Sequence, residues 1–230
     1  MSGWNWYLTG VDLINCLLNN CQLERVHEFK YLGIKIDDKL KFQGHIDYLS
    51  SKVSSICGSS YRLGNLLNLR TAKNFYYSCL YSIVTYCICV CGGVLQCTQR
   101  GRSLNRLYEK TVRNLFKRFC SQGSCIFKEV GILKLDDVHR LYVGAYMFKV
   151  LKMNLYPSLQ VNLDLKYPDH DHNTRAGNDP RIPFPRVSAL RINFKYQCVK
   201  IWNELPHYIK DARNLGHFKK TLLEYFLERY

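Results

Sequence analysis

The chain has 230 residues, enough for one large domain or two small ones with a sizeable buried core. Hydrophobic residues make up 47%, which excludes a disordered chain. The 33 Lys and Arg against 18 Asp and Glu leave a net charge of +15, and such an excess favours a polyanionic partner, either nucleic acid or an acidic membrane surface.

The charge is unevenly placed. Residues 1–40 hold 4 basic and 5 acidic side chains (net −1), residues 41–130 hold 13 and 3 (net +10), and residues 131–230 hold 16 and 10 (net +6). The middle block is therefore the electrostatic centre.

Residues 5–36 read as extended. "WNWYLTG" and "FKYLGIKI" are rich in aromatic and β-branched residues, and the second nearly alternates. Gly10 and "LNNC" supply turns, so a small β-hairpin or a meander is expected here. From His45 the period changes. Ile46, Leu49, Val53, Ile56, Ser60, Leu63 and Leu67 recur at steps of three and four, which puts one stripe along a helix. Gly58 and Gly64 weaken that helix by about 1 kcal/mol each relative to Ala unless close packing needs them.

A second helix is expected from about Thr71 through "AKNFYYSCLYSIVTYCICV", ended by Gly92-Gly93. The longest apolar stretch, Cys79 to Leu95, overlaps it. It contains Ser, Thr and two Tyr and falls short of the roughly 20 apolar residues a bilayer needs, so a buried core helix is the better reading. A third helix runs from about Ser103 to Phe119. Short connections between three consecutive helices suggest a bundle. "LKLDDVHRLYVGAYMFKVLK" gives a fourth, with Asp136 as a natural N-cap. Five of the 6 prolines then lie between Pro157 and Pro185, which reads as a surface loop or linker. "INFKYQCVKIWNEL" is expected to be helical and to stop at Pro206. The last helix starts near Leu215, with Asn214 as cap and Leu215, Phe218, Leu222 and Phe226 as its apolar stripe. Trp202 and Phe218 are expected as core anchors.

The fold class expected is mainly α with a small N-terminal β-hairpin or meander, a helical bundle, and a C-terminal helical segment. The divisions fall at 1–40, 41–135 and 136–230, with the Pro-rich loop at about 157–186.

Several groupings bear on chemistry. Asp37 and Asp38 follow a strand-like run, where a polymerase would hold metal ions. Two-metal catalysis needs carboxylates converging from separate strands, whereas adjacent strand residues point to opposite faces. The pair is read as a strand-end turn with solvated carboxylates. Cys87, Cys89 and Cys91 alternate, with Cys97, Cys120 and Cys125 later. That spacing suits core thiols better than tetrahedral zinc. "DHDH" (Asp169 to His172) sits in the Pro-rich stretch and reads as solvent-facing. No Gly-Lys-Ser/Thr phosphate loop and no Gly-x-Ser-x-Gly elbow occurs. The 11 cysteines are an odd number, and no basic n-region precedes the first apolar residues. The thiols are read as reduced. An intracellular chain is expected, nuclear or cytoplasmic, without a targeting or transmembrane segment.

The strongest signal is in the third helix. Arg102, Arg106, Lys110, Arg113 and Lys117 fall at steps of four, four, three and four, a stripe about 80° wide. Leu104, Leu107, Tyr108, Thr111, Leu115 and Phe119 lie broadly opposite. A row of like charges repels itself, so an anionic partner is a natural reason for it. An ordinary solvated face is the other reading.

"HEFKYLGIKIDDKLKFQGHI" resembles the segment that follows the catalytic palm in reverse transcriptases of jockey-like, non-LTR (LINE-type) retrotransposons. Tyr31-Leu32-Gly33-Ile34, Asp37, Leu40, Phe42 and His45-Ile46 match that pattern in order. "LNRLYEKTVRNLF" is similar to the family's helix of leucines interleaved with basic residues. "HNTRAGNDPRIPFPR" and "IWNELPHYIKDARNLGHFKKTLLEYFL" look like its His-x-Thr-Arg and Trp-Asn-x-Leu-Pro landmarks. The resemblance implies a palm remnant over 1–40, a thumb-like basic bundle over 41–135, and a primer-grip-like Tyr31, Leu32 and Gly33. A hairpin edge with a packed Tyr31 is the competing reading of those three.

The parent family carries out RNA-directed DNA synthesis with Mg²⁺ at an aromatic-x-Asp-Asp turn. This chain has no aromatic-Ala-Asp-Asp. The chain as given is therefore expected to have no catalytic residues, no metal site and no cofactor. Its expected partner is RNA, an RNA–DNA hybrid or a DNA duplex, bound through the backbone by the five basic residues, and not a membrane. The alternatives are a helical module binding an acidic protein or itself, and a degenerate element product without a selected function.

Overall fold

The computed structural model describes residues 17–18, 21–22, 26–121, 123, 125–153, 180 and 193–230. The "WNWYLTG" stretch, the "DHDH" run and the loop at about 157–186, Pro180 apart, lie outside these residues. The described chain is mainly helical, with small antiparallel β-ladders ahead of the first helix, as expected.

Strands β1 (Leu17–Leu18) and β2 (Cys21–Gln22) pair antiparallel, as do β3 (Glu28–Tyr31) and β4 (Ile34–Asp37). Tyr31 faces Ile34, so the second hairpin reverses in two residues. Leu32 and Gly33 take φ of 46° and 84°. Two positive φ values make the turn whose twist matches the strands. Gly33 adopts its value freely, whereas Leu32 does so against its own Cβ.

Helix α1 (Gln43–Leu63) buries His45, Ile46, Leu49, Val53, Cys57 and Ser60, close to the expected stripe. It packs parallel to α5 (Gln99–Phe116): Arg100 pairs with Asp47 near their starts, and Asn114 Nδ2 lies 3.6 Å from Cys57 Sγ near their ends. A Cβ at Gly64 would overlap the Asn114 carbonyl oxygen, so close packing does require that glycine. Gly58 faces open space.

The second helix differs from expectation. It starts as α2 (Leu69–Phe75), where the Asn68 side chain accepts the Thr71 N–H at 2.9 Å. It widens through a π-helical turn at Tyr76–Tyr81 and continues as α3 (Ser82–Thr85). The physical reason lies in the spacing. Ala72, Tyr76, Leu80 and Val84 are buried every four residues. An α-helix would rotate such a row about 40° per step away from the core, and a wider i→i+5 turn holds it there.

The helix then breaks at Tyr86–Cys87, not at the glycine pair. Cys87 has φ 58°, and the chain bends by 84° into α4 (Ile88–Cys97). Gly92 and Gly93 lie buried inside α4. A Cβ at Gly92 would overlap the ring of His139, so the pair forms a seat for an imidazole rather than a stop signal. Among the described residues no single helix is long and apolar enough to cross a membrane.

Helix α5 begins at Gln99, four residues before the expected start, because Thr98 caps it by accepting the Gly101 N–H at 3.0 Å. It tightens into a 3₁₀ turn at Lys117–Phe119. A short α6 (Ile126–Val130) follows, and then α7 (Leu135–Leu151). Asp136 is not the cap of α7. It lies within the first turn, where a negative charge suits the helix dipole, and its Oδ1 accepts from Asn105 Nδ2 at 3.0 Å. Helix α8 (Phe194–Glu204) stops ahead of Pro206, α9 (His207–Lys210) is a single turn, and α10 (Leu215–Glu228) is capped by Asn214, which accepts the His217 N–H at 2.8 Å.

One contiguous core joins residues from Phe42 to Phe226. Trp202 and Phe218 are both buried in it, their rings stacked 6.1 Å apart. Helix α7 lies at its centre. His139 on α7 is fully buried, and neither ring nitrogen has a hydrogen-bond partner among the described residues. Burial, aided by the Arg140 charge, pushes its pKa down to about 4, so the imidazole packs as a neutral ring.

The two mid-helix glycines therefore respond oppositely to Ala. Gly58→Ala is expected to raise stability by roughly 0.5–1 kcal/mol, since nothing opposes the added methyl. Gly92→Ala is expected to lower it by about 1–3 kcal/mol or more through overpacking. Urea unfolding checks both, and equal responses would contradict the packing of His139.

Candidate nucleic-acid interface

The site is built on α5. Leu104, Tyr108, Thr111, Val112, Leu115 and Phe116 are buried, which fixes the helix about its axis. The Tyr108 hydroxyl donates to the Leu133 carbonyl at 2.9 Å and meets the Tyr76 hydroxyl at 2.7 Å, locking that face. Arg102, Arg106, Lys110, Arg113 and Lys117 are then left exposed together on the other side, as the spacing predicted.

These five are not equivalent. Arg113 Nη2 pairs with Glu109 Oε2 at 3.0 Å, one turn back, which partly neutralises it. Arg102, Arg106 and Lys110 have no acidic partner among the described residues. Lys117 Nζ sits 5.8 Å from the ring centroid of Tyr61 on α1, and Tyr61 is itself 67% exposed. The two remaining arginines of this stretch face the other way. Arg100 pairs with Asp47, and Arg118 donates to the Asn65 carbonyl, so both tie α5 to α1.

Tyr61 was not singled out in the sequence. Its signal is the phase of α1: with the core stripe through Ile46, Leu49 and Val53, position 61 falls on the side facing α5. Ser54, two turns earlier, falls on the same side and is also exposed. Where α1 and α5 begin, Gln43, Asp47, Ser50, Thr98, Arg100 and Ser103 line an open polar hollow.

The hairpin tip is a separate feature. Tyr31 is 57% exposed and Leu32 71% exposed, so Tyr31 is not packed as one reading had it. The Tyr86 hydroxyl donates to the Leu32 carbonyl, which pins the tip to the bend between α3 and α4. No hydrogen bond, ion pair or ring contact among the described residues joins Tyr31, Leu32 or Gly33 to the five basic residues.

Asp37 and Asp38 diverge. Asp37 Oδ1 accepts the N–H groups of Lys39 at 3.1 Å and Lys41 at 2.9 Å, and Oδ2 accepts that of Phe42. Leu40 and Phe42 in this loop hold φ of 50° and 51°. The half-buried carboxylate is thus a staple for a strained connection into α1 at the strand-end turn expected. Asp38 Oδ2 instead meets His27 Nδ1 at 3.2 Å. Among the described residues no group of three or more His, Cys, Asp or Glu could hold a metal ion. Burial pushes the Cys89 thiol up to about 11 and the Cys91 thiol up to about 12, so both stay protonated core groups at neutral pH.

No family model matches the chain, and neither a curated protein nor a solved structure does.

The two aspartates differ in what they hold, and substitution separates them. Asp37→Ala leaves three backbone N–H groups without their acceptor, and stability is expected to fall by about 3 kcal/mol. Asp38→Ala loses the exposed pair with His27 and holds none of these backbone N–H groups, so a loss smaller than that of Asp37→Ala is expected. Thermal unfolding of both variants checks this, and equal losses would contradict the staple.

Proposed function

We propose that the chain is a non-catalytic part of a jockey-like non-LTR retrotransposon reverse transcriptase and binds an RNA–DNA, RNA or DNA duplex through its phosphates. The supporting observation is the exposed row Arg102, Arg106, Lys110, Arg113 and Lys117 on a helix whose opposite face is buried. A rigid helix holding cations at regular spacing, all but Arg113 without an acidic partner among the described residues, suits a regular anionic backbone. It gives no means of reading bases, so binding is independent of sequence. The resemblance in "KYLGIKIDDKLKFQGHI" supplies the family, and the lack of an aromatic-x-Asp-Asp turn in this chain supplies the absence of polymerase chemistry.

A second reading rests on the hairpin. Phe29, Tyr31 and Leu32 are exposed together near its tip, which suits a protein partner rather than phosphates. Tyr31→Ser with Leu32→Asn separates the two readings: duplex affinity is unchanged if the α5 face is the site.

The direct test changes Arg102, Arg106, Lys110 and Lys117 to Gln and leaves Arg113, which is paired with Glu109. Helix propensity is nearly constant across this change, so folding is expected to survive. Each phosphate contact releases counterions, and loss of four should make the slope of log K against log salt shallower by about 3 to 4 units on B-DNA. The loss should be similar for unrelated sequences. An unchanged slope in the folded variant would reduce the row to a solvated face.

A further inference from the structure

Away from α5, the face of α7 that carries Tyr142, Ala145, Tyr146 and Lys149 borders a cavity of about 410 Å³. Leu141 of α7 and Tyr81, Cys89 and Lys219, contributed by the π-helical turn, α4 and α10, also line it. No α5 residue lines it. The cavity falls in the size range of small-molecule sites, roughly 300–1,000 Å³.

Its chemistry is uneven in a useful way. The three tyrosines are half-buried, so ring surface is presented without being fully covered. The Tyr81 and Tyr142 rings are tilted at 49° to each other with centroids 6.4 Å apart. Lys149 lies one turn beyond Tyr146 and two turns beyond Tyr142 on the same helical face, and Lys219 is exposed opposite. None of the described lining residues is acidic, and neither lysine has an acidic partner among the described residues. Two lysines without an acidic partner among the described residues, lining a tyrosine-walled cavity, complement a ligand with a flat aromatic part and an attached anion.

We propose that this cavity takes a nucleotide, with the base against the Tyr81, Tyr142 and Tyr146 side and the phosphate on Lys149 and Lys219. Aromatic side chains accept any base through its π-face, and the lysines act as point charges on the phosphate. The source is either a free nucleotide or an unpaired residue of a strand. The shared chemistry is base plus phosphate. The site is independent of the duplex-binding row, and the test keeps the two apart.

Equilibrium dialysis of the full chain with adenosine 5′-monophosphate is the experiment, with adenosine, ribose 5-phosphate and a short oligoadenylate as comparison arms. Saturable binding of the monophosphate at one site, at a Kd of about 1 mM or tighter, is expected. Adenosine and ribose 5-phosphate should each bind about tenfold more weakly, because each lacks half of the recognised group. Lys149→Gln with Lys219→Gln should weaken the monophosphate about tenfold and leave adenosine unchanged. The four-Gln variant of α5 should bind the monophosphate as the parent does. Tight oligoadenylate binding that the cavity variant weakens, without monophosphate binding, sustains the proposal with a strand as the source. The proposal is overturned if neither probe binds saturably, if ribose 5-phosphate binds as well as the monophosphate, or if the folded double variant binds both probes unchanged.

Discussion

Burial of α7 on nearly every side is the constraint on which the other elements depend. Leu135, Val138, His139, Leu141, Val143, Ala145, Met147, Phe148 and Val150 are all buried, and the rest of the helix is half-buried apart from its buried Gly144, so none of its residues is fully exposed. Each neighbour meets it differently. Helix α4 yields space at Gly92 for the His139 ring. Phe148 meets Phe218 of α10 at 4.7 Å, and Trp202 of α8 stacks behind. The Tyr230 hydroxyl donates to Asp137 at 2.7 Å and accepts the Lys134 N–H at 2.8 Å, which closes the C-terminal end over the start of α7. The helices before and after residue 135 thereby share one core.

That core is what gives the basic row its meaning. A helix free to roll could bring its cations against any neighbour. Helix α5 cannot roll, because Tyr108 is hydrogen-bonded to Leu133 beside α7, and Arg100 and Arg118 hold it to α1. The like charges left outside repel one another, and only one of the five has an acidic partner among the described residues. A surface ion pair is worth little on its own, so the arrangement is not a device for stability. Held at fixed spacing on a packed support, the row suits the polyanion proposed for it.

Much of this was legible in the sequence where a single period governs a segment. The two faces of α5, the cap at Asn214, the stop before Pro206 and the burial of Trp202 and Phe218 all follow from spacing and from turn chemistry within a few residues. What could not be read depends on partners distant in sequence. A glycine pair reads as a helix stop until His139, far along the chain, is seen to occupy the space. Asp136 reads as a cap until Asn105 claims its carboxylate. Asp37 and Asp38 look alike, and only the folded loop shows one holding three backbone N–H groups while the other reaches His27. The π-helical turn had a weak local signal in the four-residue repeat of Ala72, Tyr76, Leu80 and Val84, a row that drifts about 40° per step around an α-helix. Tyr61 had one too, in the phase of α1, but its worth depended on which helix would lie beside it.

The central claim is that the exposed side of α5 is the surface that meets nucleic acid. Chemical-shift mapping by NMR of the isotope-labelled chain, titrated with a DNA duplex of arbitrary sequence, tests it most directly. The account predicts perturbations along Arg102 to Lys117 and at Tyr61, the same for a second unrelated duplex, and none at the β3–β4 tip. Perturbations confined to Tyr31 and Leu32 with α5 silent, or none at any duplex concentration, would contradict it.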